Sequence, residues 1–129
     1  KTDYLFSKVR LYEKELEHWL GDRREPHIES VIHSGAQHLP LDFEGEAILT
    51  IGRAVEFLKT DAAMVVNCAP FGCMPVNITS ALLNPIQQYY RRPVVTMYYD
   101  GESEANKIVE VYLHNVKNKI NDEKELLKL

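Results

Sequence analysis

The clearest periodicity comes first in the chain. Leu5, Val9, Tyr12, Leu16 and Trp19 recur at steps of four, three, four and three, which predicts an amphipathic helix with one apolar seam. Gly21 and Asp22 supply a stop, and Pro26 sits in a polar connector. Over His27 to Gly35 the pattern is less decided. Ile28, Val31 and Ile32 fit a short helix better than strict alternation, with Gly35 as its end and Pro40 and Asp42 as a break. From Phe43 to Thr60 the pattern is helical again, with Ile48, Ile51, Val55 and Leu58 on one side. Gly45 and Gly52 share a face of that helix. A glycine inside a helix costs about 1 kcal/mol relative to alanine. The pair therefore implies close approach to that face, more often by another backbone than by a ligand.

Ala62 to Asn67 is a continuous apolar run containing Met64, Val65 and Val66, the mark of a strand buried on both faces. Pro75 stands where a helix has its first residue. Ile78, Leu82, Ile86 and Tyr89 give that helix a buried stripe, and Pro85 is expected to kink or interrupt it. Pro93 to Tyr98 predicts a second strand, ended by Asp100 and Gly101. A last helix runs from about Ser103, with Val109, Tyr112, Leu113, Val116 and Ile120 inward. The order helix–strand–helix–strand–helix predicts an α/β domain: a parallel-sheet βαβ unit of Rossmann or flavodoxin-like type with helices on both faces. Two strands make a thin sheet. A third strand hidden around residues 27–35, strands from a parent protein, or a second copy in a homo-oligomer would complete it.

Composition narrows the class. With 129 residues, 45% apolar and 26% charged, residues 1–129 read as a single globular domain. A net charge of −4 without a basic block argues against a nucleic-acid surface. The alternating charges from Lys117 to Lys128 fit the solvated face of a helix. No apolar run reaches the ~20 residues of a membrane span, and no signal peptide is visible at the start. Two cysteines do not make a secreted disulfide framework, so a reducing, cytoplasmic compartment is expected. The chain opens into a helical pattern without an initiator methionine. The expectation is a C-terminal fragment excised from a longer protein.

Both cysteines lie in Asn67-Cys68-Ala69-Pro70-Phe71-Gly72-Cys73-Met74-Pro75, between the first strand and the helix after it. In an open parallel sheet, ligands gather beyond the carboxyl ends of the strands. This loop and the one from Tyr99 to Ser103 should meet there. Cys73 precedes a helix start, a position that favours the charged thiolate a metal ligand or nucleophile must be. Gly72 lets the backbone turn, and Pro70 and Pro75 stiffen its ends. Cys68, at the end of a strand, reads better as a small buried hydrophobe. The C-x4-C spacing occurs within iron–sulfur ligand sets, but two thiols cannot saturate a cluster or a tetrahedral zinc site. The five histidines read as surface residues, and His33 and His38 do not have helical metal-ligand spacing. Asp100, Glu102 and Glu104 fit the negative first turn of a helix better than an acid–base set. No phosphate-binding glycine loop and no G-x-S-x-G elbow is present.

Gly45-Glu46-Ala47-Ile48-Leu49-Thr50-Ile51-Gly52-Arg53, followed by Pro70-Phe71-Gly72-Cys73-Met74-Pro75, resembles the C-terminal part of the 2-hydroxyacyl-CoA dehydratase component family. That family includes 2-hydroxyglutaryl-CoA dehydratase and benzoyl-CoA-reductase-type subunits, and activase-related proteins fused to an actin-like ATPase activator. The resemblance spans roughly residues 43–112. It implies an oxygen-sensitive [4Fe-4S] system in which the activator, with ATP, passes a low-potential electron to an acyl-CoA dehydratase component. It further implies that Cys73 is a cluster ligand, with Gly72 and Cys68 as weaker candidates beside it. The remaining ligands would come from other domains of the parent protein, so the isolated fragment is expected to hold no cofactor and to be inactive. Val76 stands where the family has a glutamate, Lys107-Ile108 where it has a threonine–arginine pair, and Arg53 where it has a lysine. Those departures favour the activase-related branch over a working dehydratase subunit. A scaffold domain without a cluster is the second reading. A thiol enzyme using Cys73 is the third, and it lacks a nearby histidine in sequence.

Overall fold

A computed structural model describes residues 25–43, 45–101 and 106–126. The helix expected around Leu5 to Trp19 lies outside the described residues. The remainder is α/β: helices α1 (Ile28–Gly35), α2 (Ala47–Lys59), α3 (Met74–Tyr90) and α4 (Asn106–Leu126), and strands β1 (Val65–Pro70) and β2 (Val94–Tyr99). The two strands form a parallel pair joined through α3, in register from Val65 opposite Val94 to Pro70 opposite Tyr99. No third strand is hidden around residues 27–35, because that segment is α1.

The core gathers around α2. Ala47, Ile48, Ile51, Ala54, Val55 and Leu58 pack with Leu39 and with Leu83 and Ile86 of α3. The stripe expected on α2 is therefore the one buried. Gly52 has the predicted reason for being in a helix: a Cβ there would lie 1.9 Å from the Val31 carbonyl oxygen. Gly35 mirrors it, since its Cβ would lie 2.2 Å from the Ile48 carbonyl oxygen. The two helices thus cross backbone to backbone, which only glycine permits. Gly45 does not share this role. It precedes the helix with φ +101° and open space around its Cα, so it serves the turn into α2.

Polar groups fasten the same pair of helices. Buried Ser34 donates to Glu56 Oε1 at 2.6 Å and accepts from Lys59 Nζ at 2.7 Å, and Lys59 also donates to Glu56 at 2.8 Å. Hydrogen bonds from Lys59 and then Ser34 hold the Glu56 carboxyl below its ordinary range. Arg53 pairs with Glu25, just ahead of α1. At the end of α2, the Arg92 guanidinium donates to the carbonyls of Leu58, Thr60 and Ala62.

Four expectations for the later elements are corrected. β1 is not buried on both faces: Asn67 and Ala69 are buried while Cys68 and Pro70 are exposed. Only one face of β1 is covered, so its burial alternates. Helix α3 runs unbroken through Pro85, which is exposed, as is Ala81 one turn earlier. Water can satisfy the carbonyl that proline leaves without a donor. The buried stripe of α3 is Val76, Thr79, Leu83 and Ile86, and Tyr89 points out. Finally, α4 buries no residue fully. Val109 and Val116 are half-buried, whereas Tyr112, Leu113 and Ile120 are exposed. At ~1.5 Å per residue its 21 residues span about 31 Å. The six residues of β2, against which it packs, span about 20 Å. The helix is too long for the surface it lies on.

Candidate functional site

β1 and β2 end level with each other, and the loop after β1 meets the end of β2; Glu102 and Ser103 of the second loop lie outside the described residues. The Phe71 N–H donates to the Tyr99 carbonyl at 3.1 Å, carrying the ladder one residue past the sheet. The Phe71 ring stands edge-on to Tyr98 with centroids 6.0 Å apart. The chain then reverses. Gly72 takes φ +78°, and the Cys73 N–H donates to the Pro70 carbonyl at 3.3 Å. A residue with positive φ at the third position of such a turn favours glycine, which is what Gly72 supplies.

Cys73 is the N-cap of α3, and its carbonyl accepts the first helical bond from Asn77 at 3.2 Å. Its side chain makes no capping hydrogen bond, and the first turn carries no acidic residue. The thiol is half-buried and reduced. Gly72 therefore shapes the turn that holds Cys73 in place. Around it stand large apolar side chains turned outward: Phe71 is 75% exposed, Met74 66% and Tyr99 57%.

Cys68 is placed differently from expectation. It pairs with Met97 in mid-strand and is exposed rather than packed. Side chains alternate along a strand, and its neighbour Asn67 bonds to α3, so Cys68 faces away from α3. Cys73 caps that same helix. Among the described residues no group of three or more His, Cys, Asp or Glu side chains could hold a metal ion. His27, His33, His38 and His114 are exposed; His18 lies outside the described residues. Asp100 is exposed beyond β2, and Glu102 and Glu104 lie outside the described residues.

Beneath the loop lies a polar network that the sequence reading missed. Asn67 donates to Thr79 at 3.2 Å, and Thr79 donates to the Val76 carbonyl at 3.0 Å. Ser80 bonds the Val76 carbonyl at 2.7 Å, Thr96 at 3.0 Å and the Tyr98 hydroxyl at 3.4 Å. Tyr98 also donates to Asn77 at 3.3 Å. The first turns of α3 are thereby tied to both strands. A signal was present: Thr79 falls at helical spacing between Val76 and Leu83, where an apolar residue is expected.

At the opposite end of the sheet, Tyr90, Pro93, Tyr112, Val116 and Ile120 line a groove of about 520 Å³, with charged side chains of both signs on its rim. Compared with known proteins, the chain matches no family model, no curated protein and no solved structure.

Proposed function

We propose that this chain is a Rossmann- or flavodoxin-like C-terminal domain of an activase-related protein in the 2-hydroxyacyl-CoA dehydratase system. In this reading Cys73 contributes one ligand to a [4Fe-4S] cluster completed by thiolates of other domains. The carrying observation is that Cys73 sits at a helix start, beyond the carboxyl ends of parallel strands, with a thiol spent on no capping bond. The donor fits the group: thiolate is the usual ligand of such clusters. The turn at Gly72 fixes its backbone. Exposed Phe71, Met74 and Tyr99 would exclude water once a further domain covers the loop.

When bound, the cluster would store an electron at low potential. The chain's own residues would hold one corner of it and shape its surroundings. Cys68, in mid-strand and facing away from α3, is left out of the ligand set. The motif around Gly52 and Arg53 is explained by helix packing and by the Glu25 pair, so it brings no chemistry to this reading. A second reading is a scaffold domain of the same fold, in which Cys73 ligates nothing. Iron counting separates the two. After anaerobic reconstitution of the whole parent protein, Cys73→Ala should lose cluster iron relative to wild type. Unchanged iron would overturn the ligand role and leave the scaffold.

A further inference from the structure

The turn that carries Cys73 is held weakly by its own backbone. An N-cap side chain normally bonds the amide of the second or third helical residue. Here the Cys73 thiol makes no such bond, and the second helical residue is Pro75, which has no N–H to offer. Two backbone bonds close the turn. The Cys73 N–H reaches the Pro70 carbonyl at 3.3 Å and the Asn77 N–H reaches the Cys73 carbonyl at 3.2 Å, both longer than the ~2.9–3.0 Å usual for such bonds.

One side chain of β2 reaches both ends of this stretch. The Tyr98 ring stands edge-on to Phe71, ahead of the turn, with centroids 6.0 Å apart. Its hydroxyl donates to Asn77 Oδ1, behind the turn, at 3.3 Å. A hydroxyl has one proton to give. Ser80 spends its own on the Val76 carbonyl at 2.7 Å, so Tyr98, 3.4 Å away, is left to bond Asn77. Tyr98 stands opposite Ala69 in the parallel ladder, which fixes its backbone against β1. We infer that Tyr98 is the positioning residue of Cys73: it ties both ends of residues 71–77 to the sheet and so sets where the thiol stands. The value of that placement for a cluster rests on the proposed function above, whereas the tie itself does not.

The test is amide exchange by NMR and cysteine alkylation by mass spectrometry on the iron-free 129-residue chain. Tyr98→Phe keeps the ring and removes the hydroxyl. The Asn77 amide should exchange about fivefold faster, and Cys73 should alkylate faster by a similar factor. The amide of buried Leu83, further along α3, and the alkylation of exposed Cys68 should not change. Asn77→Ala removes the acceptor and should speed Cys73 alkylation to the same extent, and adding Tyr98→Phe to it should add nothing. An unchanged Asn77 amide or an unchanged Cys73 rate in Tyr98→Phe would overturn the proposal. So would equal acceleration of the Asn77 and Leu83 amides, since Tyr98 would then act on the whole helix, and so would additive effects of the two substitutions. With no iron present, these outcomes hold whether or not Cys73 ligates a cluster, and iron counting in the parent protein decides that separately.

Discussion

Helices α2 and α4 carry similar amphipathic patterns and meet opposite fates. In α2 the apolar side is buried from Ala47 to Leu58, because α1, α3 and the foot of β1 surround it. In α4 no residue is fully buried, and among the described elements a short strand is what a long helix packs against. Periodicity shows which side of a helix is apolar. Whether that side is buried depends on how much surface the rest of the fold provides. Among the described residues, α1, α2 and α3 form the one densely packed layer.

Substitutions in the two helices should differ accordingly. Gly52→Ala places a Cβ against the Val31 carbonyl, so the helices must separate, and the expected loss is about 3 kcal/mol by denaturant unfolding. Val111→Ala in α4, at an exposed position, should stay within ~0.5 kcal/mol. Equal effects would mean that α4 is as well packed as α2.

A smaller effect tests how the polar contacts serve the dense layer. The Glu56 carboxyl is held below its ordinary range, so the folded state binds its proton more weakly than the unfolded state does. Its contribution is complete above the ordinary glutamate range and is lost as pH falls through the lowered folded value. Glu56→Gln should flatten the acid side of the stability curve, and most of the difference from wild type should vanish at low pH. An unchanged acid limb would show that Lys59 and Ser34 leave the carboxylate no more stable than water does.

Much of this contrast was legible in the sequence. The α2 stripe, the β1–α3–β2 crossover and the cap position of Cys73 all followed from local spacing and from the geometry of parallel strands. Local pattern could not show what covers a surface. Val65 and Val66 made β1 look doubly buried, yet one face is open and Cys68 lies on it. Pro85 looked like a break, but its solvent-facing position lets the helix continue. The network of Asn67, Thr79, Ser80, Thr96 and Tyr98 joins positions far apart in the chain, which short-range periodicity does not connect.

The central proposal is that Cys73, and not Cys68, would ligate a cluster at the sheet's carboxyl end. The direct measurement is alkylation of each cysteine, read by mass spectrometry, in the parent protein before and after anaerobic reconstitution with iron and sulfide. Cys73 should react before reconstitution and be protected afterwards, while exposed Cys68 reacts equally in both states. Equal reactivity of Cys73 before and after, in protein that has taken up iron, would contradict the account.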